Sequence, residues 1–216
     1  MTTWFQTHSG KIFDLEYPRA EDVDFADLAW HLARIPRFNA APDLFYVVAD
    51  HSVYVGMVVE KEARALGPLA PGYALIHDGH EFALGDDITP KRLALERIAE
   101  QEFGIDVAQA VGASLSIQRR RIDAAIHEAA GLPYPVPLEI QRAIKHADRV
   151  LLKTEKRDLM RPSSLRWSVD DEEGAPMADA IVPRSIEAAE NMFRGACEWW
   201  LPACRSPAVR ALKGGL

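Results

Sequence analysis

Apolar positions recur along most of this chain at steps of three and four residues, the spacing of one helix face, while alternation in twos is confined to the N-terminus. Trp4 to Leu15 alternate loosely around the turn pair Ser9-Gly10 and predict a short β-hairpin leading into Tyr17-Pro18. Phe25, Leu28, Ala29, Leu32 and Ile35 then form the stripe of an amphipathic helix over residues 24–35, stopped by Pro36. A loop around Asn39, Pro42 and Asp43 precedes a second helix over 52–65. Gly67-Pro68 and Pro71-Gly72 bracket a linker, and a third helix is expected over 74–84 with Gly85 just past its end. Thr89-Pro90 reads as an N-cap followed by proline at the first helical position, opening a helix that runs to about Phe103 and stops at Gly104. Further helices are expected over 114–130, closed by Gly131, over 138–160 after Pro133, Pro135 and Pro137, and over 185–201. The polar stretch 168–176 reads as an exposed loop. The fold class predicted is all-α, a helical bundle with a short N-terminal β-hairpin.

Composition narrows the picture. At 216 residues the chain fits one domain with appendages, a core over about 24–160 flanked by the hairpin region 1–20 and a helical extension 161–216. Hydrophobic residues at 48% and charged residues at 26% leave disordered and fibrous classes as poor fits. With 25 Lys plus Arg against 32 Asp plus Glu the net charge is −7, so general nucleic-acid binding through a basic surface is not expected. No apolar run approaches the ~20 residues needed to span a bilayer. Residues Met1 to His8 lack the basic region and apolar core of a signal peptide, which makes the cytoplasm the expected location. Cys197 and Cys204 are too few for a disulfide framework and wrongly spaced for a zinc knuckle.

The sharpest local signal is His77-Asp78-Gly79-His80-Glu81, in the middle of the otherwise apolar segment expected to form the third helix. Spacings of three and four residues put imidazole and carboxylates on one helix face, and a buried face carries ionisable groups only when they are paired or bound to a metal. Two distant elements add to it: Asp50-His51-Ser52 and His146-Ala147-Asp148. Imidazole and carboxylate together suit divalent ions such as Mn, Fe, Co, Ni or Zn, and no cysteine lies nearby to make a thiolate site. His31, His127 and His146 read as packing or surface residues, His80 as a group supporting the ligands from outside, Arg119-Arg120-Arg121 as a solvated or subunit-contact face, and Trp199-Trp200 as core or subunit contact.

The order His51, His77-Asp78, Asp148 resembles the H…HD…D signature of the HD-domain metal-dependent phosphohydrolase superfamily. Arg37-Phe38 ahead of His51, the spacing from Asp78 to Glu81, and Leu84-Gly85-Asp86 resemble its 5′-deoxynucleotidase branch. The segments Tyr46 to Val53 and Thr154 to Met160 are similar to phage and bacterial members. The resemblance covers roughly residues 24–160. It implies that His51, His77, Asp78 and Asp148 ligate one divalent metal ion (Mn, Co, Fe, Ni, Zn or Mg). It implies further that Glu81 and Asp86 form the catalytic acid-base pair and that Arg37 binds the substrate phosphate. Phe38, standing where a Trp is usual, would line the substrate, and Arg34, one turn before Arg37, would add a second phosphate contact. The activity implied is attack of a metal-activated water on a phosphoester of a small-molecule (deoxy)nucleotide, by a homodimer. Two alternatives stand beside it, a dNTP triphosphohydrolase releasing tripolyphosphate and a sensor that binds metal and nucleotide without turnover.

Overall fold

Ser9 and Gly10 turn the chain back on itself as the sequence predicts, with Gly10 at φ +87°, a region that L side chains avoid. Strands β1 (Trp4–Gln6) and β2 (Ile12–Asp14) pair antiparallel with Phe5 opposite Phe13. In this computed structural model, which describes residues 2–213, so short a pair is held by what it packs on. Met1 and residues 214–216 of the expected extension lie outside the described residues. Phe13 is fully buried, its ring 4.8 Å from that of Phe82. Helix α1 (Phe25–Leu32) is capped by Asp24, whose carboxylate accepts the Ala26 N–H at 2.8 Å. The buried Asp27 of α1 accepts from Thr7 Oγ1 (2.7 Å), Ser9 Oγ (2.7 Å) and the Ser9 N–H (2.8 Å) and so ties the hairpin turn to the bundle. Burial pushes the Asp27 carboxyl up, but the donors on Ser9 and Thr7 outweigh it and hold the pKa below the usual carboxylate value.

Asp27→Ala leaves those donors without their acceptor, and about 2–3 kcal/mol of stability is expected to go with it. Because the folded pKa is depressed, Asp27 contributes fully above its unfolded value of about 4 and loses its contribution as pH falls through the folded one. Denaturant melts of the native protein and the variant should therefore differ by this amount at pH 7 and converge in acid.

Helix α2 (Val48–Glu62) starts four residues before the expected boundary. Val48 to Val53 are all buried, so no polar stripe marks its first turn in the sequence. The single helix expected over 74–84 does not form. Helix α3 (Ala70–Leu75) takes in Pro71-Gly72, read from the sequence as linker, because proline is tolerated in a first turn. Gly72 also permits close packing there: a Cβ on it would stand 3.0 Å from the Trp200 carbonyl oxygen. The chain then turns through residues 76–80 before the short α4 (Glu81–Leu84). Helix α5 (Thr89–Phe103) ends where expected, but Thr89 is its first residue and Ile88 holds the N-cap position without a side-chain hydrogen bond, so the capping role expected of Thr89 is not found. Helix α6 (Ile105–Ala130) begins directly after Gly104 and includes 105–113, a small-residue segment with no amphipathic stripe in sequence. Helices α7 (Leu138–Leu159) and α8 (Ile186–Trp200) fall close to expectation, whereas α9 (Pro207–Lys213) was not foreseen. The expected loop 168–176 contains a helical turn, Ser168–Asp171, whose Val169 is buried. Arg149 and Lys153 of α7 hold the residues after it, reaching Glu172 and the Gly174 carbonyl at 2.8 Å each.

The all-α class is therefore observed, with one two-stranded hairpin among the described residues. Helix α2 lies at the centre, packed by α3, α7 and α8. Gly56 of α2 admits the Trp200 ring, which a Cβ would approach to 2.6 Å, and Trp200 Nε1 donates to Glu60 at 2.9 Å. Trp200 is thus core, while Trp199 is exposed. The wholly buried Asp50 pairs with Arg184 at 2.9 Å and fastens the C-terminal segment to α2. Among the described residues no helix is long and apolar enough to cross a membrane.

Candidate metal centre

Three parts of the chain bring the expected ligands together at the start of α2. His51 occupies the first turn of that helix, His77 and Asp78 lie in the turn after α3, and Asp148 comes from α7. The sequence places His77, Asp78 and Glu81 on one helix face; the structure brings them together through a tight turn instead. Gly79 makes the turn possible, since a Cβ there would meet the Ile76 carbonyl at 3.0 Å and Ile126 of α6 at 3.2 Å. Arg37 arrives by a different route. Pro36 bridges to Val47, the Arg37 N–H donates to the Tyr46 carbonyl at 3.0 Å and the Val48 N–H to that of Ile35 at 3.0 Å, so Arg37 is pinned next to the start of α2.

His51, His77 and Asp78 each bring one potential ligand atom within 4.8 Å of the others. His51 Nε2 stands 3.3 Å from Asp148 Oδ1 and 3.6 Å from Asp78 Oδ2, and His77 Nε2 stands 3.2 Å from Asp78 Oδ2. All four residues expected as ligands are thus brought together. Both imidazoles are oriented from behind. His51 Nδ1 is 2.7 Å from Glu155 Oε1 and His77 Nδ1 is 2.7 Å from the Ala74 carbonyl. With each Nδ1–H donated to these acceptors, each Nε2 carries its lone pair into the cluster. Neither Nε2 has a hydrogen-bond partner although both are buried. Two buried imidazole nitrogens left bare beside two carboxylates fit a divalent cation, the group whose ligands are neutral imidazole and ionised carboxylate.

The field at the cluster calls for positive charge. Burial opposes protonation of His77, yet Asp78 and Asp148 raise its pKa to about 9. Burial likewise raises Asp78, but His77, His51 and Arg37 outweigh it and hold the carboxyl well below its usual value. A bound cation would take over the role that these protons play in its absence.

Glu155 is the principal residue that the sequence reading missed. It is fully buried, orients His51, and lies 3.4 Å from Arg37 Nη2. Its pKa, raised by burial, is brought down by Arg37 and His51. The signal available was its place seven residues, two helical turns, after Asp148 on α7.

Arg37 Nη1 is 3.7 Å from Asp78 Oδ2, and its Nε is buried without a partner. Burial alone would favour its neutral form, but Glu155 and Asp78 keep it charged. Phe38, Asn39 and Ala40, which follow it, all adopt positive φ (55°, 51° and 59°), a strained run for non-glycine residues of the kind that collects at functional sites. The Phe38 N–H donates to Asp86 Oδ2 at 3.1 Å, which joins this segment to the loop after α4. Glu81 Oε2 is buried and unpartnered. Burial, then Asp78 and Asp86, raise the Glu81 pKa to about 9, and burial raises that of Asp86. Glu81 also forms a second potential ligand group with Asp78 and His80, while His80 Nδ1 contacts Asp123 at 2.9 Å.

Arg34 is not among the converging groups. Its guanidinium stacks 3.2 Å over the Trp30 ring and pairs with Glu190 of α8 at 3.0 Å. Position one turn before Arg37 did not carry it to the centre because α1 ends at Leu32 and the chain bends through Pro36. In the structure Arg34 thus spends its guanidinium on Glu190 and Trp30, and the second phosphate contact expected from it has no geometric support at the cluster.

The fold and the cluster together define a predominantly helical protein with a buried His/Asp site able to hold a metal ion. The chain is 33% identical over 158 residues to an uncharacterized protein of Rhodobacter capsulatus, covering 72% of each chain. It is 30% identical over 193 residues to the uncharacterized protein YfdR of Escherichia coli, covering 88% of this chain and 92% of that one. It belongs to the family of these two proteins. No protein-family model matches it.

Proposed function

We propose that this protein is an HD-type phosphohydrolase that cleaves a phosphomonoester of a (deoxy)nucleotide, with one divalent ion held by His51, His77, Asp78 and Asp148. The observation that carries the reading is the pair of buried, unpartnered Nε2 atoms beside two carboxylates, with a guanidinium 3.7 Å from the Asp78 oxygen they share. Held by these four residues, a divalent ion would supply Lewis-acid polarisation of a phosphoryl oxygen and lower the pKa of a water.

The protein's own residues provide the rest. Arg37 donates from Nη2 to Glu155 at 3.4 Å and stands 3.7 Å from Asp78 through Nη1, while its Nε has no partner, which leaves N–H groups for a phosphate oxygen. Glu81, with Oε2 buried and free of partners, is placed to hold or move the proton that the leaving oxygen needs. Asp86, which accepts the Phe38 N–H, adds a smaller share to the burial and the Asp78 charge that raise the Glu81 pKa. Phe38 lines the same side, where its ring is 5.7 Å from that of Trp167.

Charge favours one phosphate over three. The carboxylates of Asp78, Asp148 and Glu155 already face the one buried guanidinium of the cluster, and extra phosphates would need further donors. The phosphorus NMR spectrum of products from a deoxynucleoside monophosphate and its triphosphate tests the choice. Orthophosphate from the monophosphate is expected; tripolyphosphate from the triphosphate would shift the assignment to the triphosphohydrolase.

A further inference from the structure

A cavity of about 370 Å³ opens from the metal centre, with His77 and Asp148 forming part of its wall. That is within the ordinary size range of small-molecule sites. Away from the centre its wall is aromatic. The rings of Tyr73 on α3 and Tyr134, in the loop between α6 and α7, lie 5.6 and 5.1 Å from that of His127, at the end of α6. Tyr73 is buried and spends its hydroxyl on the Pro133 carbonyl at 2.9 Å, which fixes the ring as an apolar surface. Tyr134 also lines the cavity and is 39% exposed, so part of its surface is accessible.

His127 has no part in the reaction proposed above. It is 3% exposed, its Nδ1 lies 2.7 Å from the Asp123 carbonyl within its own helix, and its Nε2 has no partner at all. With Nδ1–H donated, Nε2 is a bare acceptor, a site for an N–H. Burial keeps this imidazole below the usual histidine pKa, in keeping with a neutral ring. The remaining polar groups of the wall are Asp123, which is bound to His80, and Gln141 and Lys145 of α7. One lysine against Asp123 and Asp148 makes a poor seat for further phosphates. Aromatic walls with a few hydrogen-bonding atoms suit a flat nitrogen heterocycle.

The geometry points to this cavity as the subsite for the nucleobase of the substrate, which lies against Tyr134 while its phosphate sits between the metal centre and Arg37. The inference rests on the nucleotide reading of the centre and adds that the base itself is bound. It predicts that the metal-loaded protein separates a nucleotide from its abasic equivalent.

The test measures dissociation constants by calorimetry for deoxyadenosine 5′-monophosphate and for 2-deoxyribose 5-phosphate, in the native protein, Tyr134→Ala and Tyr134→Phe. Phosphate release from both compounds is followed in parallel. In the native protein the nucleotide should bind about tenfold or more tightly than the abasic compound, the contribution of one stacked base. Tyr134→Ala should bring the ratio near one and Tyr134→Phe, which keeps the ring, should preserve it. Equal affinities in the native protein, or a ratio that Tyr134→Ala leaves unchanged, would overturn the subsite. Release of phosphate from both compounds at equal affinity would do so while leaving the hydrolase reading intact. Base-dependent binding without turnover would keep the subsite and remove the hydrolase. Failure of either compound to bind would remove both.

Discussion

Asp78→Ala is expected to leave the helical fold in place, strip the protein of its divalent ion and lower phosphate release by about 10³-fold or more. Asp78 is the hub of the cluster. Its Oδ2 faces His51, His77 and Arg37 at 3.6, 3.2 and 3.7 Å, and it belongs to both potential ligand groups. Without it two imidazoles and Asp148 remain, on a site that has lost the carboxylate binding its parts together. Metal polarisation is worth several kcal/mol to a phosphoryl transition state, which sets the scale of the lost rate. Metal analysis of the purified variant, its circular dichroism and a phosphate assay read the three effects separately. Full metal content with undiminished turnover would show that the ligand assignment is wrong.

Glu155→Ala should have the larger effect on stability. The carboxylate is fully buried between Arg37 and His51, so removing it leaves a guanidinium without one of its buried counter-charges and an imidazole N–H without its acceptor. Breaking a buried pair on one side costs about 3–5 kcal/mol. Glu155→Gln keeps an acceptor for His51 but not the charge facing Arg37. It should fold more stably than the alanine variant while binding metal about 10–100-fold more weakly than the native protein, the usual effect of losing an outer partner of a ligand. Thermal melts with and without added Mn or Zn distinguish the two variants. Unchanged metal affinity in Glu155→Gln would mean that His51 is not oriented through this contact.

How far the sequence reveals this arrangement depends on the kind of signal each residue leaves. The hairpin, α1, α5, α7 and α8 are legible because a turn pair, an apolar stripe or a proline-glycine boundary marks them. Helix α2 starts early because its first turn is buried on every side and carries no stripe, and this is the turn that presents His51. The four expected ligands are found together, although one reason for grouping them, a continuous helix over 74–84, does not hold. Chemistry survived that misreading because a turn through Gly79 places His77 and Asp78 as well as a helix face would. Arg37, Glu81 and Asp86 also lie at the centre. Arg34 does not, and Glu155 was overlooked: helical spacing describes neighbours within one helix, whereas both outcomes are decided by which distant element packs alongside, α8 for Arg34 and α2 for Glu155. The base-side cavity, assembled from α3, α6, α7 and a loop, leaves no local pattern at all.

The central claim is that this buried cluster holds a divalent ion for phosphomonoester hydrolysis. It is tested most directly by stripping the protein with a chelator and following phosphate release from a panel of deoxynucleoside monophosphates before and after adding Mn, Co, Mg or Zn. The account predicts release that vanishes on stripping and returns with at least one metal. Release that persists without metal, or its absence from a protein shown to hold its ion, would contradict it.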